Sequence, residues 1–492
     1  MTQPDQPSQA TTETGVVSPR SMVALVIISV LWAGFISWAF KQTPQQDFPK
    51  IDAIAFYTAG KLSQAGEWEA LYSASTKQQT VEMDSPAQGV LPGSPSVFQL
   101  IRVETSPRYK AAAQESGFPD SNPPAFVYLP IYAVIFQLLS AFPWSWASYI
   151  WDLLNLSIFA CGLGIAAFAS LPSKPKYAGA FFLCTLTLLP LAHPFRFSLF
   201  CGQVTPMIVG LSCLLMLPKN HKFFGVLIGA LVCVVGLMKI LPGLLVLPLV
   251  LLNDRFRVLG FALAGGMLVL GSLIVADFST HRWMNSSAQA LVEGLRHWSG
   301  NQSLDAFVHR FFYSTNLTQM PGTSVNPQPF WVLVAIIKIF GFSLLSWLTW
   351  KNQCLPASRP IIIGAFILTL ALLPHLSWSH YGLYALPLMF ALAGALFVEP
   401  VVNSNSTRLL FCVLMCCILL GWGINPDSAK AMIPAFKPYL GEVGALTLYR
   451  VGVGAPFISM AVLFGLGLWI LRPKKAPHVQ PIPKVQRVES SK

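Results

Sequence analysis

The sequence is poor in charge, since only 11% of its 492 residues are Asp, Glu, Lys or Arg, against about 25% in soluble domains. Hydrophobic residues make up 54% of the chain, and apolar runs of about 15–25 residues recur along almost its whole length. This pattern predicts an integral membrane protein with many spans. It excludes a soluble enzyme with a single buried core, a nucleic-acid-binding protein and a peripheral protein with one anchor.

Metal-binding spacing is also missing. None of the nine cysteines forms a C-x-x-C or Cys/His pattern, and most lie inside apolar segments, so we expect no dedicated metal site. The net charge of +12 does not indicate a nucleic-acid partner, because Lys and Arg cluster in short loops and in the C-terminal tail. Basic residues in such places act as topology signals.

The hydropathy pattern predicts an all-α polytopic bundle of about 12 transmembrane helices, with 11 or 13 also compatible. A disordered cytoplasmic tail (1–21) is expected before the membrane-embedded domain (22–471), and a basic cytoplasmic tail (472–492) after it. Two larger loops, 41–123 and 278–328, interrupt the apolar pattern and are expected to contain short interfacial helices.

Positive charge assigns sides to these loops. Arg255, Arg257, Lys351 and Arg359 fit the cytoplasmic side, which places the two large loops on the opposite side. One apolar segment, 223–252, carries Lys239 and Pro242 near its middle. A single span would bury that lysine at a cost of about 2.5–3.5 kcal/mol, so we expect two short helices that break there.

Asp52 lies in the first outer loop, about 12 residues beyond the first span. A carboxylate at headgroup depth is suited to take a proton from a sugar hydroxyl. The alternative is an N-cap for a helix predicted over residues 53–65, with Ile54, Tyr57 and Leu62 on its apolar side.

Polar residues beside the apolar spans have a functional and a structural interpretation each. Tyr128 fits sugar binding or helix entry at the interface, and Arg196, near Gln203, fits a phosphate or an ordinary loop. Lys239 is a functional candidate because it interrupts an apolar run, although its ammonium can instead snorkel to the surface. Asn301 to Ser303 offer donors and acceptors for a sugar, or cap a helix from Leu304.

The turn that reads PHLSWSHY adds Trp378 and His380. Trp378 fits simple anchoring at the interface. His380 is suited to sit beside a phosphate or to orient a carboxylate.

Taken in order, these stretches resemble glycosyltransferase family 87 of the GT-C superfamily. The likeness runs from about residue 45 to 400 and rests on the following motifs: Asp52-x-x-x-x-Tyr57 with Ala59-Gly60, Phe126-x-Tyr128-x-Pro130, Phe197 through Gly202-Gln203, Gly225-x-x-x-Gly229 leading to Lys239-x-x-Pro242, Gly300-Asn301-Gln302-Ser303 with Arg310, and Ser377-Trp378-Ser379-His380. Ser379 and Tyr381 stand where the family often has an acidic residue and a second histidine.

The resemblance implies an inverting transfer of one sugar, typically mannose, from a polyprenyl monophosphate to a glycan or glycolipid acceptor on the periplasmic side. The enzyme would be a multi-pass protein of a bacterial plasma membrane, with no cofactor beyond its lipid-linked substrate. The implied site has three parts: catalytic Asp52 and His380; phosphate-binding Lys239, Arg310 and Arg196; and sugar- or acceptor-binding Tyr57, Tyr128, Gln203, Asn301, Gln302, Ser303 and Trp378.

Two other functions remain open at the level of sequence. A transporter or flippase of lipid-linked sugars would place charged groups near the bilayer midplane in two related halves. Lys239 is the main feature in its favour, but no repeated half is visible. A ligase that joins whole glycans to a lipid is the third possibility.

Overall fold

A computed structural model describes 15 stretches of the chain. They are residues 19–41, 50–72, 75–82, 97–118, 123–218, 222–239, 241–295, 303–312, 328–353, 355–374, 377, 379–398, 404–420, 436–441 and 455–472.

The described part of the chain is dominated by helices, as the sequence predicts. In the first half they are α1 (Pro19–Lys41), α2 (Ile51–Gln64), α3 (Trp68–Tyr72), α4 (Pro107–Glu115), α5 (Pro130–Ser140), α6 (Trp144–Ser170), α7 (Pro175–Leu188), α8 (His193–Cys201), α9 (Thr205–Cys213) and α10 (Lys222–Leu237). In the second half they are α11 (Val246–Leu251), α12 (Arg255–Val275), α13 (Phe278–Leu295), α14 (Leu304–Phe312), α15 (Gln328–Lys351), α16 (Arg359–Leu372), α17 (Leu386–Ala393), α18 (Asn405–Leu420), a short helix over residues 436–441 and a C-terminal helix, Ala455–Ile470. Tighter 3-10 turns lie at Leu189–Leu191, Leu214–Met216, Leu241–Leu245, Pro356–Ser358 and Ser379–Ala385, and a π-helical turn at Gly394–Val398.

Several of these helices are suited to cross a bilayer. Among the described residues, five helical segments have the length and composition of a span, and α7 with α8 forms a sixth if the pair, bent by 65°, is one span. Six further apolar helices are shorter, at 10–17 residues. The chain is therefore a multi-pass membrane protein, and the count of 12 spans stays a prediction.

The segment around Lys239 is broken, as predicted. Helix α10 ends at Leu237, and a 3-10 turn from Leu241 leads into the short helix α11. Lys239 lies in the break and is half-buried. The interruption places its side chain among other polar groups instead of against lipid, which avoids the cost of an unpaired charge in hydrocarbon.

The described residues of the loop 41–123 form the helices α2, α3 and α4 and also a two-stranded antiparallel ribbon. Strands β1 (Ser75–Glu82) and β2 (Val97–Glu104) pair with Ser75 opposite Glu104 and Glu82 opposite Val97. The sequence analysis did not predict this ribbon. Its signal is local, because β2 reads VFQLIRVE, a run rich in the branched and aromatic residues that favour strands.

Glycines allow the helices to approach closely around the core. A Cβ added to Gly162 of α6 would lie 2.1 Å from the carbonyl oxygen of Gly210 in α9, and one on Gly229 of α10 would lie 2.0 Å from the carbonyl oxygen of Arg257 in α12. The GxxxG spacing at Gly225 and Gly229 therefore serves helix–helix packing, as small residues do in membrane bundles.

A buried ionic cluster joins the starts of α12 and α16. Asp254 accepts a hydrogen bond of 3.1 Å from Arg257 and one of 2.7 Å from Arg359. Arg257 is completely buried and also donates to the carbonyl oxygens of Leu217 and Pro218. Arg257 and Arg359, predicted to share one side, therefore lie at the same end of the bundle around one carboxylate.

Replacing this carboxylate should destabilise the protein strongly. Asp254→Asn leaves two buried guanidinium groups without an anion, and loss of one partner from a buried ionic cluster typically costs about 3–5 kcal/mol. Thermal unfolding of the detergent-solubilised protein measures the effect. Arg255→Gln, at the exposed next residue, is the control and should change the free energy of unfolding by less than about 0.5 kcal/mol. Equal unfolding of the two variants would contradict the stabilising role of the cluster.

Candidate functional site

The site is built around a tight corner between α8 and α9. Gly202 ends α8 with a φ of +64°, in the left-handed region that glycine tolerates best. A Cβ at this residue would lie 2.6 Å from the Cβ of Ala53, at the start of α2. Glycine therefore permits both the turn and the close approach of α2 to the corner.

Helix α6 fixes the same corner from another direction. The Trp151 indole donates a hydrogen bond of 2.8 Å to the carbonyl oxygen of Gly202. One turn later, the Asn155 amide donates to the carbonyl oxygen of Gln203, while its oxygen accepts from the Met207 backbone at 2.8 Å. These contacts set the direction of the Gln203 side chain.

Asp52 reaches the corner from α2. The helix begins at Ile51, and Lys50 is its N-cap without a side-chain capping bond, so the interpretation of Asp52 as the N-cap is wrong. The Asp52 carboxylate instead accepts a hydrogen bond from the Gln203 side-chain amide. The neighbouring Lys50 forms an ion pair with Asp152 of α6, which ties the start of α2 to the bundle.

Lys239 approaches the same amide from the opposite side. Its ammonium donates to Oε1 of Gln203 at 2.8 Å and to the hydroxyl of Thr205 at 3.2 Å. It also lies 3.4 Å from the hydroxyl of Tyr381 and 4.7 Å from the centre of that ring, a geometry suited to a cation–π contact. Gln203 thus joins Asp52 and Lys239 through one side chain.

His380 completes this cluster. It is 1% exposed, and its Nε2 lies 3.4 Å from the Lys239 ammonium. Its ring stacks on Phe197 of α8 with centres 6.1 Å apart. The other ring nitrogen, Nδ1, is buried without a hydrogen-bond partner among the described residues.

The surroundings make the Asp52 carboxyl more basic than a carboxyl in water. Burial raises its pKa from 3.8 to about 6, and the Lys239 charge and the Gln203 hydrogen bond oppose part of that rise. A carboxyl with a pKa near 6 is mostly ionised at neutral pH and is still basic enough to accept a proton in a transition state.

Two predicted tyrosines mainly support α2. The Tyr57 hydroxyl donates to the carbonyl oxygen of Phe142 at 2.9 Å, and its ring packs against Trp144. The Tyr128 ring lies 4.8 Å from that of Phe56. Burial raises the pKa of Tyr128 well above its usual value, and the Asp52 charge adds to this effect. Tyr128 is therefore electrostatically coupled to the site, whereas Tyr57 packs on another face of α2.

The remaining predicted residues fall outside this cluster or outside the described side chains. Arg196 is exposed on α8, and buried Ser303 caps α14 by accepting from the Ala306 backbone at 3.1 Å. The other four stay predictions because their side chains lie outside the described part of the chain: Asn301, Gln302, Arg310 and Trp378.

Thr205 and Tyr381 are two members of the cluster that the sequence analysis did not select. Each is a neighbour of a selected residue, since Thr205 follows Gln203 by two positions and Tyr381 follows His380 directly. Their polarity at the edge of an apolar segment was the available signal. Within the described stretches, no three His, Cys, Asp or Glu side chains group together as metal ligands.

Comparison with known protein families gives a match. The sequence model of glycosyltransferase family 87 matches residues 126–374, about half of the chain. This stretch includes Gln203 and Lys239, whereas Asp52 and His380 lie outside it. No curated protein and no solved structure matches the chain.

Adding a methyl group at Gly202, between α8 and α9, should lower the activity of the protein. Gly202→Ala adds both left-handed strain and a clash with Ala53, and displacement of a catalytic group by about 1 Å can cost about 100-fold in rate. Gly66→Ala is a matched control, because Gly66 also has a positive φ, of +73°, but has open space around its Cβ position. Transferase activity of the purified variants measures the difference, and equal activities would contradict the importance of this approach.

Proposed function

The chain belongs to glycosyltransferase family 87, and we propose that it is an inverting enzyme that transfers a single sugar from a polyprenyl-phosphate donor to a glycan or glycolipid acceptor. The observation that carries the proposal is the hydrogen-bonded chain Asp52–Gln203–Lys239. It presents a carboxylate and an ammonium in one buried cluster, and these are the two groups that such a transfer requires.

In the proposed reaction, Asp52 acts on the acceptor. The acceptor hydroxyl attacks the anomeric carbon from the face opposite the phosphate, the new glycosidic bond forms as the bond to the phosphate oxygen breaks, and Asp52 takes the hydroxyl proton. The electron pair of the broken bond leaves with the polyprenyl phosphate. No covalent enzyme intermediate is needed, and a general base typically contributes about 10²–10⁴-fold to the rate.

The opposite end of the cluster is proposed to receive the leaving phosphate. Negative charge develops on that phosphate in the transition state, so a nearby cation lowers the barrier most when it is already held in place. Lys239 is held by Gln203 and Thr205, and Nδ1 of His380, which has no hydrogen-bond partner among the described residues, is proposed as a further contact. Arg196 and Arg310 are proposed as outer phosphate contacts.

The donor sugar is proposed to be mannose, as is typical of the family. Asn301, Gln302, Ser303, Tyr128 and Trp378 are the proposed contacts for the sugar or acceptor. We place the reaction on the periplasmic side of a bacterial plasma membrane, because the positive-inside rule puts the loop that carries Asp52 outside. The isoprenoid tail would remain in the bilayer between helices, and no cofactor is required by the proposed chemistry.

Replacing the base tests the proposal directly. Asp52→Asn keeps the shape of the side chain but removes its ability to accept a proton, so transfer should fall by about 10²–10⁴-fold. The assay supplies radiolabelled polyprenyl-phosphate mannose to membranes that contain the protein and measures labelled product. Asp277→Asn is the matched control, because Asp277 caps α13 through Thr280 and asparagine caps about as well.

The same assay separates the competing functions. Movement of intact labelled lipid across vesicles, without transfer of the sugar, would identify a flippase, and transfer of a whole preassembled glycan would identify a ligase. Full activity of the Asp52→Asn variant would show that Asp52 is not the base.

The pH dependence of the rate should follow the Asp52 carboxyl. Only the ionised form accepts a proton, so kcat/KM should be constant above the pKa of about 6 and fall as pH decreases through it. At one unit below that pKa the rate should be about tenfold lower. Initial rates measured between pH 4.5 and 8 show this decrease. A kcat/KM that stays constant down to pH 4.5 would contradict the assignment of Asp52 as the base.

A further inference from the structure

We propose that Gln203 is a positioning residue whose amide holds the Asp52 carboxylate and the Lys239 ammonium on either side of itself, so that the base and the cation stay separate but coupled. The inference rests on the proposed function and deepens it. It gives Gln203 a role other than the sugar contact predicted from the sequence.

The amide is suited to this role by its chemistry. A carboxylate only accepts hydrogen bonds and an ammonium only donates them, so a bridge between the two must donate at one end and accept at the other. The Gln203 nitrogen donates to Asp52 and its oxygen accepts from Lys239. The two partners thereby fix the orientation of the amide.

The backbone of Gln203 is held independently of its side chain. Its N–H donates to the carbonyl oxygen of Ser198 at 2.9 Å, and its carbonyl accepts from Asn155. Substitutions of the side chain therefore leave the corner supported. This support allows the effect of the amide to be measured without loss of the fold.

Separation of the two charges has a chemical consequence. In a direct ion pair, Lys239 would lower the pKa of Asp52 strongly and leave it a weak base. The charge of the Lys239 ammonium would also be neutralised by the carboxylate before a phosphate bound. With the amide between them, the ammonium contacts mainly neutral groups, namely Gln203, Thr205 and Tyr381. Its positive charge is therefore not paired with a carboxylate and can stabilise the leaving phosphate.

Other groups near Asp52 also affect its titration and must be considered beside Gln203. Those with an electrostatic effect on the carboxyl, or paired close to it, come from each neighbouring element: Lys239, Cys201, Tyr109, Tyr128, Tyr381 and the Lys50–Asp152 pair. Substitution of Gln203 changes none of these residues themselves, and among them only Lys239 loses a hydrogen bond to the amide.

The test measures, in two variants, the pH at which kcat/KM falls to half of its plateau value on the acid side of the pH profile. Gln203→Glu puts a second carboxyl beside Asp52, and two adjacent carboxyls cannot both ionise easily. The midpoint of the fall in kcat/KM should therefore rise by about one pH unit or more. Gln203→Met has a similar length but no hydrogen-bonding group, so the carboxylate loses a stabilising bond and the midpoint should rise by a smaller amount.

Gln137→Glu is the matched control. Gln137 contacts Ser63 near the far end of α2, about 16 Å along the helix from Asp52, so the same substitution there should leave the midpoint unchanged. Thermal unfolding of each variant reports whether it is folded. If Gln203→Glu does not fold, the midpoint of Gln203→Met alone tests the inference.

The inference would be overturned if the folded Gln203 variants lost activity at a pH within 0.3 units of the wild-type midpoint. A residue that only contacts the sugar would change KM and leave that midpoint unchanged. The wild type and Asp52→Asn are measured in parallel. Failure of the wild type to transfer sugar, or full activity of Asp52→Asn, refutes the proposed function or its base instead.

Discussion

The structure depends on one buried hydrogen-bonded link, the Gln203 amide between Asp52 and Lys239. Two opposite charges away from bulk water are favourable only when each has partners. Here the ammonium has four polar neighbours and the carboxylate has the amide nitrogen. The amide lies between the two charged groups and forms a hydrogen bond with each of them.

Much of the surrounding fold can be understood as support for this link. Helix α6 holds the Gly202–Gln203 corner through Trp151 and Asn155, and the missing Cβ of Gly202 lets α2 bring Asp52 to it. The break after α10 then directs Lys239 to the same place. A helical membrane protein builds an ionic site in this way without exposing charge to lipid, because Asp52 lies in the first turn of its helix and Lys239 lies in a helix break.

Sequence reasoning predicted the parts of this site whose signals are local. Lys239 in an apolar run indicated both the helix break and a polar neighbourhood, and Ile54, Tyr57 and Leu62 on one face indicated α2, which buries all three. It did not predict which residues meet. The alternative role of Asp52 as an N-cap failed because α2 begins one residue before it, and boundaries of that accuracy depend on packing. The cation–π partner Tyr381 and the Asp254 cluster arise from contacts between distant segments, which no local pattern encodes.

The central claim is that Asp52 acts on the attacking hydroxyl and Lys239 on the leaving phosphate, on opposite sides of one anomeric carbon. An experimental structure of the protein with a polyprenyl-phosphate sugar bound tests it most directly. The account predicts a phosphate oxygen within about 2.7–3.2 Å of the Lys239 ammonium and the anomeric carbon between that phosphate and the Asp52 carboxylate. A donor whose phosphate lies away from Lys239, with the sugar out of reach of Asp52, would contradict it.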